Sequence, residues 1–263
     1  MQRTKIEYLT HTWNPIAMRC TPVSDGCKNC WHLRMAKRLA VIFDNYSDMS
    51  HADWYTDAEK AIAYQGGDPY LNTKELSAPL RLRNPARIGV EFMGDLFHES
   101  ITNEQIAAAF GVMAACPQHT FMILTKRFAR MVKWTSTNAV PANVWLGVSV
   151  EDQATADKRI PWLLKTPAAK RFVSIEPMLG PVDLNKRECL IDKTRFKLTI
   201  GNYLDWVIAG AETGPGARPC DPDWLRSIRD QCAAAAVPFF LKQINARGDR
   251  ELDGRMHEEI GEQ

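Results

Sequence analysis

Between residues 88 and 241 the chain alternates short apolar, β-prone runs with longer segments whose apolar residues recur at helical spacing. The runs fall at 88–93, 120–124, 144–150, 171–175, 206–209 and 238–241, each bounded by polar or turn-forming residues, as expected of strands buried in a sheet. Helix signals separate them. Thr102 and Gln105 make a capping box ahead of Ile106, Phe110 and Met113, and Asp221-Pro222 supplies an N-cap and first-turn proline ahead of Leu225, Ile228 and Cys232. Pro161 is expected to divide the helical segment that contains it. Upstream, a strand-like stretch at 8–10 precedes a helical pattern that puts Leu33, Ala36, Leu39, Ala40 and Phe43 on one face.

Strands that alternate with helices imply parallel pairing through right-handed crossovers, and six such units after the first strand favour a closed or partly closed barrel over a short open sheet. The expected fold is therefore α/β, a partial parallel (β/α) barrel, with residues 1–263 as one domain. Residues 44–86 are polar, contain Gly66-Gly67, and read as an insertion or lid with a short helix near 52–64; residues 183–205 read as an irregular β excursion.

A parallel barrel builds its active site at the carboxyl ends of its strands. The residues there are Gly94-Asp95-Leu96-Phe97-His98, Thr125-Lys126-Arg127, Ser149-Val150-Glu151-Asp152, Ser174-Ile175-Glu176-Pro177, Gly210-Ala211-Glu212 and Lys242-Gln243. Nearly every strand thus ends in an ionisable or hydrogen-bonding group, although burying such a group unpaired costs about 1–3 kcal/mol. Asp152 or Arg127 alone is explained by a solvated loop tip; the six ends together support a ring. Glu151, Glu176 and Glu212 suit an amine or sugar hydroxyls, and Lys126 and Lys242 a carboxylate or phosphate. The glycines between 210 and 216 would let backbone N–H groups approach an anion.

Three cysteines change the picture most. Cys20, Cys27 and Cys30 lie in one loop directly ahead of the helical pattern, spaced C-x6-C-x2-C. Three thiolates leave one iron of a four-iron cluster open to a small-molecule chelator, whereas structural zinc closes its shell with a fourth ligand, here His32 or His11. The first gap is wider than the C-x3-C-x2-C of most radical S-adenosylmethionine enzymes, so spacing alone leaves iron–sulfur, zinc and unrelated thiols all open. Trp13 precedes the loop as either a cover for a cluster or ordinary core. Cys116 and Cys232, at apolar helical positions, read as small core residues, while Cys189 and Cys220 are undecided.

Seven cysteines, an odd number with three clustered, suit a reducing compartment. The N-terminal residues lack a signal-peptide core and no run approaches the ~18 apolar residues of a membrane helix, which leads to the expectation of a cytoplasmic protein with no membrane partner. With 33 Lys and Arg against 31 Asp and Glu, net charge neither requires nor excludes nucleic acid. Arg81, Arg83 and Arg87, and Lys126, Arg127, Arg130 and Lys133, form local basic stretches that fit either phosphate contacts or solvated faces.

Thr12-Trp13-Asn14-Pro15, the three-cysteine loop, Gly94–His98, Leu124–Arg127, Asn143–Glu151, Arg171–Pro177, Asp205–Glu212, Gly214–Pro219 and Lys242-Gln243 together resemble a phage-associated three-cysteine family of uncharacterised proteins that looks related to radical-SAM barrels. The chain departs from that family's usual residues at Arg19, Trp31, Met93 and Ala211, beside the presumed cofactors, while keeping all three cysteines. The resemblance implies a [4Fe-4S] cluster on Cys20, Cys27 and Cys30 with S-adenosyl-L-methionine at the open iron, whose reductive cleavage gives a 5′-deoxyadenosyl radical. It implies cofactor contacts from Asp95, Ser149, Glu151, Ser174, Glu176 and Glu212, with substrate-side chemistry from His98, Lys126 and Lys242. The implied partners are a flavodoxin- or ferredoxin-type electron donor and a modified pyrimidine of phage DNA in the host cytoplasm. Within the enzyme class the alternative is a small metabolite or peptide; outside it, a zinc-binding, non-catalytic nucleic-acid module.

Overall fold

The strand Val144–Val150 is buried along all seven residues, as a parallel strand covered on both faces must be. The computed structural model describes residues 1–46, 54–185, 189–191, 194–196 and 200–261. They form a mixed α/β fold with mostly parallel strands, and contacts divide the chain into two units: Met1–Val23 with Cys30–Ile123, and Ser24–Asn29 with Leu124–Gln263.

The first unit contains β1 (Gln2–Arg3), β2 (His11–Trp13), β3 (Ile16–Ala17), α1 (Trp31–Tyr46), α2 (Trp54–Gln65), β4 (Tyr70–Leu71), α3 (Thr73–Leu76), β5 (Arg87–Val90), α4 (Asn103–Ala114) and most of β6 (Thr120–Thr125). Its strand order is β1-β2-β5-β6; β1 is antiparallel to β2, the other pairs are parallel, and β3 pairs separately with β4. The capping box expected at Thr102 and Gln105 is present at the start of α4. The strand expected at 8–10 begins instead at His11, because Leu9 N–H closes a turn onto the Ile6 carbonyl while Tyr8 and Leu9 are buried. Trp13 is core: it is fully buried, packs 5.7 Å from Phe121 and donates to the Glu75 carbonyl.

Within residues 44–86, α2 buries Ala63 and Tyr64 against Ala36 and Ala40 of α1 and Ala17 of β3. The expected start of that helix at 52–53 lies outside the described residues, as do the side chains of residues 43–57, including Phe43.

The second unit contains α5 (Phe128–Thr135), β7 (Val144–Val150), α6 (Gln153–Leu163), β8 (Lys170–Ile175), β9 (Cys189–Ile191), β10 (Thr194–Phe196), β11 (Trp206–Gly210), α7 (Pro222–Ala234) and β12 (Phe239–Gln243). Strands β7, β8, β11 and β12 are neighbours in that order, all parallel. Across β7 and β8, Gly147 faces Phe172 so closely that a Cβ there would meet the ring at 2.5 Å. Asp221 caps α7 as expected. Pro161 does not divide its helix; it sits inside α6, two residues before the end, where its missing N–H removes a single late-turn hydrogen bond. The excursion near 183–205 contains the antiparallel pair β9–β10. No helix among the described residues is long and apolar enough to cross a membrane.

Candidate functional site

Residues Ser24–Asn29 carry Cys27 and pack within the second unit onto the carboxyl ends of its parallel strands. The Ser24 hydroxyl donates to Glu151 Oε1 at 2.8 Å, immediately past β7. Asn29 Nδ2 donates to Glu212 Oε2 at 2.9 Å and to the Gly216 carbonyl at 2.8 Å, just past β11. Between them Asp25–Cys27 forms one 3₁₀ turn, and Gly26 is pressed on Glu151 so tightly that a Cβ would lie 2.5 Å from its Cγ. Glycine is required by that approach, not by a special φ.

Glu151 is 1% exposed. Its Oε1 takes Ser24 together with Arg159 at 3.1 Å and Lys126 at 3.3 Å, while buried Oε2 has no hydrogen-bond partner. Arg159, from α6, also donates to the Ser149 carbonyl at 2.6 Å, so one guanidinium ties the strand end to its carboxylate. Ser149 and Ser174 are register partners on β7 and β8, and Ser174 Oγ is likewise buried without a partner. Two unsatisfied acceptors at adjacent strand ends suit a ligand that donates hydrogen bonds.

Glu212 is clamped by Arg218, whose Nη2 donates to Oε1 at 2.6 Å and whose Nε and backbone N donate to Oε2 at 2.9 and 2.8 Å. These bonds, with Asn29, hold its carboxyl down at about 2 despite its burial. Past β8, Glu176 Oε1 accepts from Lys242 Nζ at 2.9 Å and from Gln243 Nε2 at 2.7 Å. Lys242 and Gln243, expected beyond the last strand, are its final residues.

In the first unit, Asp95 is 4% exposed and its Oδ1 accepts from Phe97 N–H at 3.0 Å. The His98 Nδ1 accepts from Ser100 N–H, leaving Nε2 to donate to Thr21 Oγ1 at 2.9 Å, one residue from Cys20. His32 Nε2 accepts the backbone N–H of Cys20 at 3.1 Å, and burial, aided by Arg19 and His98, pushes its pKa down to about 4. His32 Nε2 is thus engaged while its buried Nδ1 has no hydrogen-bond partner; His11 Nδ1 meets Thr10 Oγ1 at 3.0 Å.

Cys20, Cys27 and Cys30 form no disulfide; Cys20 Sγ lies 3.6 Å from the Thr21 carbonyl and Cys27 Sγ 3.9 Å from Ser24 Oγ. Cys20 and Cys30 belong to the first unit and Cys27 to the second. Among the described residues no group of three His, Cys, Asp or Glu side chains is gathered to hold a metal ion. Cys116 and Cys232 are buried core residues as expected, with burial raising both thiol pKa values; Cys220 is raised to about 11, and the Cys189 side chain is outside the described residues.

The chain matches, over residues 3–262, the family model described as "Protein of unknown function (DUF5131)". It belongs to the DUF5131 family. No curated protein matches the chain significantly, and no solved structure does. Membership of DUF5131 covers nearly the whole chain, so the thiol loop and the strand ends of both units fall inside the matched region.

In the second unit Ser24, Asn29, Arg159 and Arg218 hold the strand-end carboxylates without having been singled out in the sequence; in the first unit Glu91 was likewise not singled out. Glu91 follows β5 directly at φ 55, is 1% exposed, accepts from Ile16 N–H at 3.2 Å through Oε2 and has no partner for Oε1. Burial, reinforced by nearby Asp95, raises its pKa well above the carboxylate range. The sequence run 88–93 hid it as a strand residue; ending that strand at Val90 exposes it as a strand-end carboxyl. The basic run 126–133 is no continuous surface, since Arg127 is buried and Lys126 is bound to Glu151.

Proposed function

We propose that this protein is a radical S-adenosylmethionine enzyme of the partial (β/α) barrel type, with Cys20, Cys27 and Cys30 as ligands of a four-iron, four-sulfur cluster. The observation that supports it most is the attachment of the Cys27 segment to strand-end carboxylates, Ser24 to Glu151 and Asn29 to Glu212. When bound, the cluster would supply the single electron that cleaves the sulfonium of S-adenosylmethionine.

The remaining work falls to the chain's own groups. Glu151 Oε2 and Ser174 Oγ offer two unfilled acceptors for ammonium or hydroxyl donors of the cofactor or substrate. Glu176 and Lys242, each partly exposed, can exchange their mutual bond for the two ends of a zwitterion or for a phosphate and a hydroxyl. Exposed Arg81 and Arg83 are cations suited to phosphate, which favours a modified pyrimidine in DNA as substrate over a free metabolite or peptide. A base in a duplex must be flipped at a cost of a few kcal/mol, so a single strand or poorly stacked base reacts faster.

The test is anaerobic reconstitution followed by iron, sulfide and zinc quantification. The expected result is about four irons per chain, retained in Cys116→Ala and lost in Cys27→Ala, with 5′-deoxyadenosine released from S-adenosylmethionine under dithionite. Colourless protein carrying stoichiometric zinc would refute the reading. Mass spectrometry of nucleosides from treated phage DNA then decides the substrate.

A further inference from the structure

The turn that ends β5 is joined to the segment leading to Cys20, and a buried acid sits at the centre of the join. Three hydrogen bonds make it: Glu91 N–H donates to the Trp13 carbonyl at 2.9 Å, Met93 N–H to Asn14 Oδ1 at 2.9 Å, and Ile16 N–H to Glu91 Oε2 at 3.2 Å. Gly94 N–H closes the turn onto the Glu91 carbonyl at 3.0 Å, and Gly94 lies so near Met18 that a Cβ there would meet its Sδ at 2.8 Å. The same segment also pairs through β3 with β4, and the Pro15 carbonyl accepts from Asn72 N–H at 2.9 Å. All of these residues belong to the first unit.

Two features of Glu91 cost stability. Its φ of 55° puts a non-glycine residue in the left-handed region, and its Oε1 is enclosed without a hydrogen-bond partner. Segment 13–18 carries no charged side chain, and the titratable groups that interact with Glu91 are Asp95 of its own turn and Tyr64 of α2, neither of which can offer a positive charge. A carboxylate formed here would hold one N–H bond and no cation, shut off from water, whereas the neutral acid keeps the Ile16 bond on Oε2 and carries its proton on Oε1. We propose that Glu91 is a proton-held latch: with the proton in place the turn 91–94 stays closed on segment 13–18, and loss of the proton opens the pair and frees the chain that runs on to Cys20. Oε1 gives the proton to water, the carboxylate left behind is hydrated as the turn swings out, and no other group reacts. The latch stands apart from the iron–sulfur reading, because none of its parts is a thiol.

The experiment is hydrogen exchange by mass spectrometry on the full chain, from pH 4.5, the ordinary value of the group, upward, with rates corrected for the intrinsic pH dependence of amide exchange. The opening equilibrium of peptides spanning 13–18 and 91–95 should rise by up to ~10-fold per pH unit until Glu91 is ionised in the closed form, and then level off. In Glu91→Gln, whose amide oxygen keeps an acceptor for Ile16 N–H and cannot ionise, the corrected rates should stay flat. Asp95→Asn removes the neighbouring charge that favours the proton, so its rise should level off at lower pH, and this variant carries the test if Glu91→Gln does not fold. Corrected parent rates that ignore pH overturn the latch, as does an equal rise in Glu91→Gln. A rise shared equally by α4 and β6 of the same unit also overturns it, since Glu91 would then act on global stability alone.

Discussion

The tightest mechanical claim concerns Gly26. A methyl group there would lie 2.5, 2.6 and 2.8 Å from Cγ, Oε1 and Cδ of Glu151, an ångström or so inside the ~3.5–4.0 Å optimum for non-bonded carbon. Glu151 has nowhere to go, since it is 1% exposed and its Oε1 holds Ser24, Arg159 and Lys126. Swinging it out would strand the buried Arg159 charge at about 3–5 kcal/mol, whereas shifting the backbone of 24–29 costs the ~1–3 kcal/mol typical of overpacking. Gly26→Ala should therefore move the segment, weaken the bonds Ser24 and Asn29 make, and destabilise the protein by about 2 kcal/mol, roughly 4–8 °C in Tm. Iron retained after reconstitution should fall with it.

The same substitution in a Glu151→Ala background meets none of those atoms, so there its cost should shrink below about 0.5 kcal/mol. Urea denaturation of the four proteins in this cycle gives the coupling directly. An equal cost of Gly26→Ala in both backgrounds, or no cost in the parent, refutes the packing argument.

Two further outcomes follow from the buried carboxyls. Arg218→Ala should cost about 1–3 kcal/mol by stripping Glu212 of charge-assisted bonds. Because Glu212 titrates near 2 when folded against an ordinary 4.5, its stabilisation is present above pH 4.5 and lost as pH falls toward 2. Urea midpoints in Arg218→Ala should therefore fall less steeply than the parent's between pH 4.5 and 2, the two proteins converging in acid, and parallel declines would contradict this. Glu91 has the opposite sign: its raised folded pKa means its contribution is full below the unfolded value and lost as pH rises through the folded one. Glu91→Gln, which mimics the neutral form, should flatten the loss of stability on going from pH 4.5 toward neutrality, and parallel profiles for the two proteins would sink the assignment.

What could be read from the sequence was what short-range chemistry decides. Thr102 with Gln105 and Asp221 with Pro222 act within four residues, and both caps form as the pattern implies. The apolar run at 144–150 is unbroken because both faces of β7 are covered, and its ends are where the pattern put them. Misplacements arose where tertiary packing overrides local preference. Glu91 adopts positive φ and ends β5 three residues early, and Pro161 is absorbed in a helix whose last turn can spare a hydrogen bond. The site divides along the same line. Strand-end carboxylates were legible because a parallel sheet gives those positions to function, whereas their partners come from far along the chain: Asn29 meets Glu212 across 183 residues and Ser24 meets Glu151 across 127. Periodicity carries no signal over such separations. Arg218 stood inside the motif Gly214–Pro219, yet its glycines drew attention as an anion loop, while the fold uses its guanidinium to fix Glu212 and, through Asn29, the segment that bears Cys27. The strand-end acids thus act first as anchors for the thiol segment, so mutating them should disturb the placement of Cys27 before it disturbs any chemistry there.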